Sequence, residues 1–557
     1  MARTIRTCSH AALVVGLVAA SLPAHGRVAL VRSSGASIFV GARAAELQGD
    51  ARRAAVLYAS LAQADPANAM LANRAISQAI SAGDMTLALR LAKNRPPEKL
   101  GLDARLALAG DLLLQRRTGQ ALDLLRRDSD SGSIAFIAPL IAAWEEAKGR
   151  DARALDRLSQ VPAGSIVAPY LPEHRLLILL RLKRPAEAVA LIDRALTGSG
   201  GREARLRTAM ADGFDRAGDR ATALRLVEGS DSALVRARTR IAAGNRAGAG
   251  IETAAQAFAE LLTGIALDLN HSDSRALPVA MLQVARHSDP SNPTTPVLLG
   301  LMLGEAGRVD DGLAVLRSVP SDSLFRDAAR DAEIRVLGGA KRFEEAAARA
   351  TAFAQSPDAS ARDWGRLGDV YDDMDRHELA ASAFARAIAL VEAGAPGPNR
   401  WQLYLLRGAM LERAGRWPEA RASLDIARQL APTNPLVLNF LGYAQLERGE
   451  NLDVAEALVA EASRLSPDDA SITDSLGWAQ YKRGKIDQAI ATLQRAAAAE
   501  PGEAEIHEHL GDALYTAGRK FEARHSWNAA LITSPEKAKQ RVEAKIRVGL
   551  NPATAAP

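Results

Sequence analysis

Apolar positions near the C-terminus repeat with a helical period. Ile472, Leu476 and Ala479 fall at i, i+4 and i+7 and share one face. A second stripe, Asp474, Trp478 and Tyr481, keeps the same spacing. Trp478 lies about 200° from Leu476 at 100° per residue. After Gly484 another amphipathic segment begins, and its Ala489, Ile490 and Leu493 match the first apolar face. The pattern predicts two helices folded back on each other. The aromatic stripe is left on a different side.

The pattern recurs. Glycines at Gly368, Gly408, Gly442, Gly477 and Gly511 are spaced by 40, 34, 35 and 34 residues. Twelve residues after most of them stands an alanine, at Ala380, Ala420, Ala489 and Ala523. One extra residue near Asn451 delays it to Ala455 in the third unit. A turn glycine precedes the alanine by five at Gly415, Gly484 and Gly518, and a proline closes four units at Pro432, Pro467, Pro501 and Pro535. Small residues where two helices cross let the axes approach, and a large residue there would overpack by about 1–3 kcal/mol. The turn glycine supplies a left-handed backbone that ends the first helix. The closing proline suits the first turn of the next helix.

These residues resemble the tetratricopeptide repeat. Trp364-x2-Leu367-Gly368-x2-Tyr371 followed by Ala380-x3-Phe384 meets that pattern at every one of those places. The closing proline is missing at Glu392, where an insert, AGAPGPN, follows. Upstream the ladder is fainter. Small residues recur at Ala54, Ala88, Ala121, Ala154, Ala188 and Ala223, with turn glycines at Gly49, Gly83, Gly149 and Gly218. It resumes at Gly312 and Ala346, and Gly300 and Gly307 fill the other glycine places of that unit.

The resemblance implies an all-α fold, a right-handed α-solenoid of roughly 13–14 helical hairpins. Five regions follow from the rhythm: a leader at 1–26, a degenerate array at 27–223, an irregular segment at 224–290, a regular array at 291–534, and a cap with a tail at 535–557. The irregular segment reads as one atypical unit plus a degenerate hairpin. Within it, Ile251 to Asn270 is apolar on much of its circumference and reads as a long buried helix. Pro535 to Leu550 reads as a charged capping helix, and NPATAAP as a disordered tail.

The N-terminus reads as an export signal. Arg3 and Arg6 precede an apolar run, Ala11 to Leu22, which is short for a membrane span. Ala24 and Gly26 suit a signal peptidase, and an uncleaved anchor is the alternative. Cys8, the one cysteine, precedes the apolar run and leaves with the leader. The mature chain then has no disulfide and no thiolate site. The leader carries two Arg and no acid, so +3 remains of the chain's +5. That charge is too small to imply nucleic acid.

Only 4% of residues are aromatic, so rings gathered on one stripe stand out. Matching places in three adjacent units are Asn439, Tyr443 and Leu446, then Asp474, Trp478 and Tyr481, then Glu508, Asp512 and Tyr515. In tetratricopeptide arrays this stripe lines the concave groove. Two readings stand: a partner-binding groove, in which polar groups hold a peptide backbone and rings bury side chains, or packing between repeats. Trp527 and Trp364 occupy motif places and read as core.

No catalytic or cofactor motif emerges. His507 and His509 are two apart and cannot share a helical face, and no HExxH occurs. Phosphate loops and a nucleophile elbow are likewise missing from the sequence. No metal, cofactor or catalytic residue is therefore expected. The leader, the missing motifs and the resemblance together imply a non-enzymatic, exported scaffold or adaptor that binds protein or peptide partners in the periplasm. Membrane association would come through partners only. The run from NFLGYAQLERG through DSLGWAQYKRGK to SWNAAL resembles the end of large bacterial envelope tetratricopeptide proteins. Some of these are lipoproteins that bind a carboxy-terminal processing protease and present its substrates. The chain departs from them in having no lipid-attachment cysteine after the apolar run. A scaffold in a polysaccharide, pilus or secretion assembly is the alternative.

Overall fold

The computed structural model describes residues 35–128, 132–271, 275–395 and 397–555. The expected leader and Cys8 lie outside them. Every regular element among the described residues is a helix, and among those residues no helix is long and apolar enough to cross a membrane.

Six hairpins follow one another from Gly35 to Leu226, and seven more from Thr295 to Thr533. The unit Ala470–Lys482 with Ile486–Ala499 shows how each is made. Asp469 caps the first helix by accepting from the Ile472 N–H at 3.0 Å. Gly484, at φ 74°, ends it. A Cβ on Gly477 would stand 2.6 Å from Leu493 Cγ. The same closeness recurs at Gly368 with Phe384 and at Gly511 with Trp527. The glycine therefore makes room for the large residue sixteen places on. The fully buried Ala489 sits one turn before it.

Two expectations about the turns need correction. Pro432, Pro467 and Pro501 stand in the turn between units, not in the next helix. Each is bracketed by a backbone bond such as Asn434 N–H to Ala431 O at 3.1 Å, where proline's fixed φ suits the second turn position. In the fourth unit upstream, Arg150 takes the left-handed backbone (φ 59°) and Gly149 does not (φ −78°), because that turn is shifted by one residue. Gly449 is the turn glycine of the delayed unit, and Asp375 adopts the same conformation without glycine.

The irregular stretch departs from the stack. Helix Ser232–Ala242 stands alone beside the sixth hairpin. Helices Ala254–Asp268 and Ala276–Ser288 then pack against Ala69–Ser81, Leu102–Leu114 and Ala138–Lys148. These are first helices, the concave lining of the N-terminal array. The expected buried helix is real but begins at Ala254, where Thr253 and Gln256 form a capping box. It belongs to no stacked unit.

One continuous apolar core consequently runs from Ala55 to Ala383. The later hairpins have separate, smaller cores. Helix Glu536–Val548 covers the last hairpin with fully buried Val542 and Lys545. Residues 549–555 turn back beyond the cap. Thr554 is buried, and its hydroxyl donates to Gly549 O at 3.0 Å, closing a turn of the kind short hydroxyl side chains favour.

Candidate functional site

The first-helix stripe faces the inside of the superhelix, and in the N-terminal array it is occupied. Gly110 on that stripe faces Phe258, Val284 and Ser288 of the inserted hairpin. Arg205 Nε donates to Glu260 Oε2 at 3.0 Å, with both side chains buried. Asn292 donates to the same oxygen at 3.1 Å. The Tyr170 hydroxyl donates to Asp268, and Arg202 forks onto Glu173 at 2.9 and 3.0 Å. The apolar hairpin thus fills a groove, with its buried Glu260 set against Arg205 and its Asp268 against the Tyr170 hydroxyl. Arg308 then donates to Ser81 O at 2.9 Å, which fastens the start of the second array to the second hairpin.

The predicted C-terminal stripe divides into interior and surface. Trp478 is 1% exposed. Its ring stacks on Tyr481 at 4.8 Å and on His509 at 4.1 Å. Asp474, also buried, accepts from His509 Nδ1 at 2.9 Å. Burial works against charge on His509, yet the Asp474 carboxylate raises its pKa above the ordinary value. Leu446 packs with Ala455, Val459 and Ala479.

Glu508 and Asp512 hold the cap. Lys545 Nζ lies 2.6 Å from Glu508 and 2.7 Å from Asp512, and Arg541 forks onto Glu508. Asp512 also accepts from Trp527 Nε1 at 2.9 Å. Tyr515 lies against Trp527 and beside Gly549. For Leu446, Asp474, Trp478, Glu508 and Asp512 the groove expectation is corrected: they form the seam between repeats. The superhelix winds tightly enough here that each stripe packs on the next helix.

Asn439, Tyr443, Tyr481 and Tyr515 remain half-buried. The Tyr443 hydroxyl donates to Glu505 at 2.9 Å, two units away, spanning the hairpin that holds Trp478. Burial and the nearby carboxylates of Glu505 and Glu447 push its pKa up.

The open concave surface lies just upstream, where the sequence reading did not place it. A pocket of about 430 Å³ is lined by Asp331, Arg362, Asp369, Trp401, Leu405 and Leu436 among others. Leu406, on its wall, is 38% exposed and Leu436 54%. Asp369 faces this space with its carboxyl raised to about 6, by the surrounding protein first and by Asp373 second. The stripe positions of the helices Ala361–Asp373 and Arg400–Arg413 could have been read in register from Gly368 and Gly408. They carry leucine and aspartate instead of rings, and so did not stand out. Among the described residues no group of three or more His, Cys, Asp or Glu is placed to hold a metal ion.

Such a molecule is a helical-hairpin solenoid with one groove filled from within and another left open. Its C-terminal part carries tetratricopeptide repeats: the family model of that description matches residues 366–435, 411–470 and 475–539. Repeats of this kind are protein-interaction scaffolds. No curated protein sequence matches the chain. Among solved structures, the chain is similar to the APC/C hetero-tetramer Cut9-Hcn1, at 16% identity over 93% of this chain and 97% of that one, with a TM-score of 0.38. It is also similar to a tetratricopeptide repeat protein from Parabacteroides merdae, at 14% identity over 53% and 99%, TM-score 0.34. A third is YrrB, described as a TPR protein with an unusual peptide-binding site, at 16% identity over 34% and 93%, TM-score 0.27.

Proposed function

We propose that this chain is an exported, non-enzymatic scaffold that binds protein partners along the concave face of its C-terminal array. One observation carries the reading. The N-terminal groove is filled by the chain's own hairpin, whereas the groove beside Leu405, Leu406 and Leu436 is open and apolar. Exposed leucines in a concave pocket leave apolar surface for a partner to bury. The finer assignment rests on the C-terminal resemblance. There the scaffold holds a processing protease together with its substrates, raising the effective concentration of one for the other.

The test is photo-crosslinking in cells from a reactive residue at Leu406, with Val454 on a second helix as control, followed by mass spectrometry. The expected result is a discrete partner set at position 406 that is missing at 454, with a protease among them. Identical sets at the two positions would remove the groove. A discrete set without a protease would remove the adaptor role alone. Fractionation of the same cells tests export.

A further inference from the structure

The N-terminal half displays what this chain's stripe can hold. Its occupant is helical: Ala254–Asp268 and Ala276–Ser288 lie across the first helices, not an extended strand. The occupant offers an apolar face, with Phe258, Leu261, Leu262, Val284 and Ala285 all buried. Its polar groups meet partners on or beside the stripe, as Glu260 pairs with Arg205 and the His287 ring lies 3.3 Å from Asp111. Helix in groove, with charges matched at the stripe, is therefore a mode this sequence already uses.

The open groove has its own chemistry. Leu405, Leu406 and Leu436 form its apolar floor. Asp369 lines the same pocket, and Asp373 stands one turn on along its helix; farther along the array, Glu447 and Glu505 stand on two other first helices beside Tyr443. Among the described residues none of these four forms an ion pair. Neighbouring acids do find cations, as Asp372 with Arg413 at 2.7 Å and Glu412 with Arg448 at 2.7 Å. One oxygen of Glu447 is buried without a hydrogen bond, as is Asn439 Oδ1. Against them stand Arg362 and Arg366, which both line the pocket, and Lys482, which lies over the Trp478 ring; Arg366 is already paired with Asp331 and Asp363. The groove is left acidic, and like charges crowd at Asp369 and Asp373.

We propose that this groove receives an amphipathic, cationic α-helix of a protein partner. Its apolar face lies on Leu405, Leu406 and Leu436, and its lysine or arginine side chains meet Asp369 and Asp373. The inference rests on the scaffold reading and narrows it to one class of partner. A basic side chain brought to Asp369 and Asp373 relieves their mutual repulsion, and an apolar helix face covers exposed leucine.

The test uses the full chain and a fluorescein-labelled, ~18-residue peptide of leucine and lysine spaced for five helical turns. Two comparators share its length: one with central prolines, which cannot stay helical, and one with glutamate in place of lysine. Anisotropy titration is expected to show saturable binding of the leucine–lysine helix, weakening with added salt. Asp369→Asn with Asp373→Asn should weaken it at least about tenfold, and so should Leu406→Ser with Leu436→Ser. These side chains are all at least partly exposed, and circular dichroism checks that the variants fold. Glu344→Gln with Glu378→Gln, on other surfaces, should change nothing. Equal binding of the proline or glutamate peptide, unchanged binding by both groove variants, or no binding at all would overturn the proposal. If the peptide fails while crosslinks at Leu406 persist, the scaffold stands and the helical partner class falls. If both fail, the scaffold reading falls too.

Discussion

His509 and His174 are both fully buried, and their surroundings drive them in opposite directions. His509 is held charged by Asp474 despite its burial, so its pKa is raised. Its contribution to stability is complete below the unfolded value of ~6.5 and is lost as pH rises through the folded one. His174 is pushed down to about 3, by burial first and then by Arg202. The Trp144 indole N–H donates to its Nδ1 at 3.1 Å, which requires that nitrogen to be unprotonated. Its contribution is present above ~6.5 and is lost as pH falls toward the folded value. Alkaline pH is therefore expected to loosen the hairpins around 470–533, and acid pH those around 138–226. Peptide-resolved hydrogen exchange, corrected for the intrinsic pH dependence, reads both. Asp474→Asn should remove the alkaline effect only. Loss of protection in both regions on the same side of neutrality would contradict the assignment.

The inserted hairpin is the element that distinguishes this array. It is apolar on nearly every side, and its one buried carboxylate on the first arm is Glu260. Arg205 depends on that carboxylate for its ion pair in the interior. Glu260→Ala is expected to cost about 3–5 kcal/mol, because a buried guanidinium is left without its partner. Replacing both residues by leucine should cost much less than the single change, since no unpaired charge remains. Urea unfolding followed by fluorescence measures both. A loss below ~1 kcal/mol for Glu260→Ala would mean that the pair does not hold the hairpin.

At the scale of the whole molecule, filling one groove changes how the solenoid coheres. Repeats that touch only their neighbours unfold by stages, as terms of a one-dimensional chain. Here that description fits the later hairpins, with their separate cores. From Ala55 to Ala383 a single core joins units far apart in sequence. Hydrogen exchange in rising urea is expected to show residues 55–383 opening together and 400–533 opening in graded steps. Graded opening throughout would show that the inserted hairpin adds no cooperativity.

Periodicity alone determined most of the local structure. The hairpin rhythm, the crossing glycines and the charged cap were all legible, because a 34-residue spacing records contacts between near neighbours. The burial of Trp527 was legible for the same reason. Whether Trp478 faced a groove or a neighbour was not. A helical stripe specifies direction around one axis, and the winding of successive hairpins decides what lies opposite. Only the tertiary structure stacked His509 on that ring and joined Tyr443 to Glu505 two units away. It alone also sent residues 254–288 into the first groove, a contact between segments too distant in sequence for any repeat to record.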